Sequence, residues 1–404
     1  MKIGIQRTIF LSLVLGLCVF AIGCKAGDNK THKKWVSEAN DRWHEMRSGM
    51  MLQMATQQFE TGDLEIAAKT VNEAMRIDQN NDGLSLLAGR ISLEKGQLER
   101  AYHWFNHTAD LNDKNSDAYY YRGVVLQRWK NYEDALVSYR YAYNSQKDNP
   151  SYLLAMAEMM VQLDEIDDAV TMLEGKLLYF DQVAGLRSIL GHIYRLKRNY
   201  AKASDYFEQA SLLEPENLKL REEMIVSKVA AKKYLDAIHA IEVLQQEDGY
   251  SKRSDIKRLK AESLAAIGRH AQARRVYVKL TKSIDATAED WIKLGEMAWK
   301  EGDLGGALTA ATRVINMQPE RHDGYLLAGM VWQKRDHLEN ALKNFDRAAE
   351  LAPNDAVPCI LRGLSLQKSG RTSAAIAAYE EALRREPSDD RASKLLQTLV
   401  PTNY

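Results

Sequence analysis

The chain has 404 residues, 45% of them apolar, and its 55 basic side chains balance 55 acidic ones, for a formal net charge of zero. That length holds more than one ordinary core, and the balanced charge gives no electrostatic reason to expect a nucleic acid partner. Cys18 and Cys24 lie near the start and Cys359 stands alone far from them, which excludes a disulfide framework.

At the N-terminus Lys2 and Arg7 precede an apolar run from Ile9 to Phe20, short for a bilayer-spanning helix, and Ala21-Ile22-Gly23-Cys24 closes it. The pattern resembles a bacterial lipoprotein leader. The resemblance implies removal of residues 1–23, a diacylglycerol on the Cys24 thiol and a further acyl chain on its new amine. Ala21 departs from the leucine commoner there. Lys25, where an aspartate would signal retention at the inner membrane, leans toward the outer membrane, with the folded part in the periplasm or otherwise outside the cytoplasm. Without Lys2 and Arg7, 53 basic residues face 55 acidic ones. Residues 24–34 are polar and read as a tether. Trp35, Trp43 and Met46 then predict a capping helix over 35–47 that covers the first repeat.

From there a period governs the chain. Ala67, Ala101, Ala135, Ala169, Ala203, Ala237, Ala273, Ala307, Ala341 and Ala375 are spaced by 34 residues, with one gap of 36. Such a period marks helix pairs that bury their apolar faces only by stacking. With these alanines at place 20, a small residue occupies place 8 in nine of ten repeats, Ile225 being the exception. Small residues there let two helices, over places 2–14 and 18–30, approach closely. Phe105, Tyr139, Phe207 and Phe345 recur at place 24. Gly62, Gly96, Gly268, Gly302 and Gly370 fall at place 15, where a helix end asks for a left-handed backbone. Pro215, Pro319, Pro353 and Pro387 fall at place 32 and turn the chain into the next unit.

Trp291, Leu294, Gly295, Ala298, Ala307, Ala311 and Pro319 follow the tetratricopeptide pattern with two departures, and the chain resembles that family over roughly residues 48–389. Pentatricopeptide RNA readers run at 35 and use a polar base code, where this chain is apolar. The resemblance implies an all-α fold, an α-solenoid winding as a right-handed superhelix of about ten helix-turn-helix repeats. Repeats 1–6 occupy 48–251 and repeats 7–10 occupy 252–389. Repeat 6 is the weakest, with Ile225 at place 8, Lys232 for the turn glycine and two extra residues within Gln245 to Arg253, so a hinge is expected there. Leu395, Leu396 and Leu399 predict a closing helix within 390–404.

No phosphate loop, nucleophile elbow or metalloprotease motif occurs, and no enzymatic role, cofactor or metal is expected. Asp78 to Gly83 opens like a calcium loop but has Gly89 at the twelfth place and reads as an inter-repeat turn. His103 and His107 lack a third ligand and read as solvated. Cys359, at place 4, reads as a buried hydrophobe.

In the tetratricopeptide family the inner face is lined by places 2, 5, 6, 9, 12 and 13 of the first helices. Here those places hold Leu86, Leu87, Arg90, Tyr120, Tyr121, Val124, Arg128 and Leu154 in repeats 2–4. Repeats 8–10 supply Ile292, Glu296, Trp299, Lys300, Leu326, Met330, Lys334, Leu364 and Lys368. Apolar anchors edged by positive charge suit an extended or helical peptide with acidic residues. The lysine and asparagine with which chaperone-binding members clamp a C-terminal carboxylate are absent. The expectation is therefore a non-enzymatic, lipid-anchored scaffold for envelope proteins or peptides, with a role in a cell-wall or polysaccharide export complex, or glycan contact by Tyr120, Tyr121 and Trp299, as the alternative. An exposed solenoid end also offers a surface for self-association.

Overall fold

The computed structural model describes residues 29–399, with side chains from residue 32. Cys24 and the expected leader lie outside the described residues. Among those residues the chain forms ten helix pairs and a closing helix, with no strand. It is an all-α solenoid of helix-turn-helix repeats, grouped into two compact units that divide between Phe180 and Asp181.

The first unit holds repeats 1–4. Its pairs are Asn29–Glu60 with Leu64–Met75, Asp82–Glu94 with Leu98–Leu111, Ser116–Arg128 with Tyr132–Ser145, and Pro150–Gln162 with Ile166–Glu174. Asparagines start three of these first helices: the side chains of Asn81, Asn115 and Asn149 accept from the backbone N–H of Leu84, Ala118 and Ser151. The first helix begins at Asn29, within the segment read as a tether, and runs unbroken to Glu60 because no proline interrupts it. Trp35, Trp43 and Met46, expected to cover the first repeat, are exposed.

The second unit holds repeats 5–10. Its pairs are Ala184–Leu196 with Tyr200–Leu213, Leu218–Ala230 with Tyr234–Leu244, and Ser254–Ala266 with His270–Leu280. Next come Ala288–Lys300 with Leu304–Met317, His322–Lys334 with Leu338–Leu351, Val357–Lys368 with Thr372–Arg385, and the closing helix Asp390–Leu399. The extra residues of repeat 6 form a short turn, Tyr250–Lys252, entered through Gly249 at φ +82°. Cys359 is buried among Ala349, Ala356, Ile360, Ala382 and Ala392, and burial pushes its thiol pKa up.

Within each pair the packing repeats. All ten place-20 alanines are fully buried. The small residue at place 8 makes room for the place-24 ring: a Cβ built on Gly123 would stand 2.6 Å from Tyr139, and one on Gly191 would stand 2.9 Å from Phe207. Where place 24 holds Ala311, Leu327 of the next repeat fills the space over Gly295 instead. Every place-15 residue is left-handed, the five glycines and also Lys130, Asp164, Arg198, Lys232 and Asp336 at φ between 55° and 65°.

Candidate functional site

In the first unit two of the predicted inner-face residues, Arg90 and Tyr121, meet, and Phe59, which was not predicted, joins them. Arg90, on Asp82–Glu94, sits with its Cζ 4.7 Å from the centroid of Phe59 and 5.4 Å from that of Tyr121. Phe59 comes from repeat 1 and Tyr121 from repeat 3, so stacked first helices bring one ring from either side of the cation. Among the described residues no carboxylate or carbonyl takes the Arg90 N–H groups. A half-buried guanidinium held between rings, with its donors free, is a prepositioned seat for a carboxylate or a backbone carbonyl.

The neighbouring aromatics are partly committed to one another. Tyr121 stacks on Phe105 at 5.5 Å. Tyr120 meets Tyr121, Tyr139 and Tyr152 at centroid distances of 5.3, 5.5 and 5.2 Å. Burial, helped by the Tyr121 hydroxyl and Glu158, raises the Tyr120 pKa, so this phenol stays neutral. Tyr139 donates to Gln127 at 2.7 Å, and Tyr152 to Asp117 at 2.7 Å. Tyr119 lies outside this cluster, stacked on Tyr141 at 5.3 Å. Replacing Tyr120 and Tyr121 together would therefore disturb packing as well as any contact surface.

The other predicted residues of this unit divide. Leu86, Val124 and Leu154 are half-buried, and Leu86 and Val124 pack against the Leu93–Phe105 cluster. Arg128 is exposed, its Nη1 donating to the Leu93 carbonyl at 3.4 Å. Leu87 is a correction: it is buried with Ala55, Val71 and Ile91 and cannot meet a ligand. Phe59 is absent from the predicted face because that face starts at repeat 2; it occupies place 12 of repeat 1, where the same rule returns it.

The second unit's predicted face is less open. Ile292 is buried with Ala311 and Val314, which removes it from the face. Glu296 is paired to Lys293 at 3.1 Å, and Lys368 to Asp336 of the preceding repeat at 2.7 Å. Trp299 packs beside Ala298, Leu304 and Leu308. Leu326, Met330 and Leu364 are half-buried, and Lys300 and Lys334 are exposed. Repeat 5, not singled out from the sequence, places His192 and Arg195 together, Arg195 pairing with Glu223 of repeat 6. Burial lowers the His192 pKa and the Arg195 charge adds to this, outweighing Glu223. His103 and His107 flank Trp104, at ring distances of 5.7 and 6.0 Å.

The tetratricopeptide repeat family matches residues 292–356 and 360–396, and a second family of that description matches 184–217, so the chain carries tetratricopeptide repeats over these segments. A TPR repeat-containing protein of Methanocaldococcus jannaschii is 21% identical over 289 residues, covering 70% of this chain and 47% of that protein. The BBSome complex member BBS4 homolog of Drosophila melanogaster is 23% identical over 328 residues, covering 75% and 64%. The chain thus spans less than two thirds of the length of either relative. Among solved structures, the APC/C hetero-tetramer Cut9-Hcn1 is similar with a TM-score of 0.42 and 12% identity, over 88% of this chain and 96% of that one. Yeast Tom70 is similar with a TM-score of 0.41 and 13% identity, over 88% of each chain.

Proposed function

We propose that this protein is a non-enzymatic scaffold that seats a partner segment against the first-helix face of repeats 1–4, with an acidic side chain or chain terminus on Arg90. The supporting observation is the Arg90 guanidinium between Phe59 and Tyr121, without a hydrogen-bond acceptor among the described residues. Half-buried Leu86 and Val124, which pack on the same cluster as Tyr121, supply apolar contact. We further propose that the scaffold is a bacterial envelope lipoprotein, held through lipid on Cys24 and working outside the cytoplasm, at the outer membrane where one exists; the leader pattern supports this.

Arg90→Lys keeps the charge but loses the planar fork, so it separates recognition from simple attraction. Partner crosslinking in intact cells should fall by about tenfold in Arg90→Lys and further in Arg90→Ala, at unchanged melting temperature. Equal recovery from all three proteins would overturn the Arg90 seat. Mass spectrometry of the membrane fraction reads the anchor separately, as a diacylglyceryl thioether on Cys24. Tyr121 is already engaged by Phe105 and Arg90, which leaves no observation favouring glycan contact.

A further inference from the structure

The first helix has two apolar faces, and the repeats use only one. Ser48 and Ala55 are buried, Leu52 and Phe59 pack into the first core, and Ser48 Oγ donates to Asp78 at 3.2 Å. At about 100° per residue, Trp35, Ala39, Trp43, Met46, Met50 and Met54 gather within an arc of roughly 100° on the opposite side. They are uncovered: Trp35 is 70% exposed, Met46 67% and Met50 66%. From Trp35 to Met54 the stripe runs for about 28 Å, more than five turns. Isolated exposed hydrophobes are ordinary, but a continuous stripe of this length marks a surface that something covers.

The charges bordering it say what. On the same wheel Arg42 edges the stripe on one side and Arg47 on the other. The Arg47 guanidinium lies over the Trp43 ring at 5.1 Å, holding its charge beside the apolar strip. Glu38, Asp41 and Glu45 fall beyond Arg42, toward the side that packs on the repeats. Tryptophan and methionine bounded by cations, with acidic groups turned away, match a bilayer interface with anionic headgroups. A second copy would instead bring the arginine borders of two helices together. No helix among the described residues is long and apolar enough to cross a membrane, whereas a stripe along one side suits a helix lying in the interface.

The chain before the helix points the same way. Four residues, 25–28, separate Cys24 from Asn29, a reach of about 17 Å when fully extended. A lipid on Cys24, or an apolar run Ile9–Phe20 that stays attached, would hold the start of this helix at the bilayer. We propose that the Trp35–Met54 stripe rests in an anionic lipid interface, with the repeats carried on the helix's other face. The proposal rests on the membrane attachment proposed above.

The test places a photoreactive residue at Met46, or at Glu38 as the reference, in the full chain made in intact cells. Lipid adducts at Met46 should exceed those at Glu38 by about tenfold, and Arg42→Gln with Arg47→Gln should lower the Met46 yield several-fold. Equal labelling at both positions, or an adduct at Met46 to a second copy or another protein, overturns the proposal, as does indifference to loss of both arginines. A chain acylated at Cys24 that gives no lipid adduct at Met46 keeps the anchor and removes the interface. Absence from the membrane fraction removes both. Lipid adducts persisting in Cys24→Ser support the interface without the acyl anchor.

Discussion

At Gly123 a single hydrogen stands where a methyl would meet the Tyr139 ring at 2.6 Å. Gly123→Ala should therefore cost about 1–3 kcal/mol by overpacking. Tyr139→Leu should cost less in the alanine background than in wild type, with a coupling of about 1 kcal/mol in a double-mutant cycle of denaturant titrations. Strict additivity would show that the two places do not share one space. Both places are legible in the sequence, as recurring small residues at 8 and recurring rings at 24, but their pairing is not. Spacing alone sets place 8 against the alanine at place 20; which side chain fills the gap depends on how two helices cross, and a period along the chain carries no such information. The glycines at place 15 announce a left-handed position, yet Lys232 adopts it too, with φ +60°. Lys232→Gly removes that backbone strain and adds freedom to the unfolded chain, so it should stabilise by at most about 1 kcal/mol, seen as a raised melting temperature. A lowered one would mean that the lysine side chain contributes more than its backbone costs.

Repeat 6 is weak in sequence, but its first helix is tied to the turn that leads into repeat 7. Arg253 Nη1 and Nη2 donate to Glu222 at 2.6 and 2.9 Å, and the Tyr250 hydroxyl donates to the same carboxylate at 2.5 Å. The turn made by the two extra residues is thus fastened to Leu218–Ala230 by a three-point contact that no spacing rule reveals. Burial raises the Glu222 pKa, but the hydrogen bonds from Arg253 and Tyr250 together outweigh it and leave the carboxyl below its ordinary value. A depressed folded pKa adds stability that is complete above the unfolded value, roughly pH 4.3, and is lost as pH falls through the folded one. Glu222→Gln should cost about 1 kcal/mol at neutral pH, a modest figure because Arg253 is partly exposed, and the difference from wild type should shrink as the pH falls from neutral to about 3. Melting curves at the two pH values measure this; a difference that stays constant would place the contribution elsewhere. The inner face is legible in the same partial way. Arg90 and Tyr121 follow from their places, Leu87 and Ile292 satisfy the same rule yet face the core, and Glu296 and Lys368 are paired. Place numbers fix which side of a helix a residue occupies, while burial and pairing depend on the neighbouring repeat.

In a chain of repeats a segment opens locally where its own residues are least held, whatever the length of the period there. The sequence marks a seam at Gln245 to Arg253 by two extra residues. The compact units divide instead after Phe180, where the second helix of repeat 4, Ile166–Glu174, has nine residues and is followed by turns through residue 182. In that segment Leu178 is 96% exposed and Tyr179 64% exposed. The Gln245–Arg258 stretch, by contrast, is anchored by Arg253 and Tyr250 and by Arg258, which bridges both oxygens of Asp290 at 2.9 Å. Cleavage needs side chains that reach a protease at low cost, and Leu178 and Tyr179 already stand out from turns that only the buried Phe180 beside them anchors in the core. Brief chymotrypsin treatment of the native protein should thus cut first after Leu178 or Tyr179, producing a fragment that begins near residue 180. A first cut after Tyr250 would restore the seam to repeat 6 and show that the ion pairs of Arg253 and Arg258 do not hold that turn on the timescale of proteolysis.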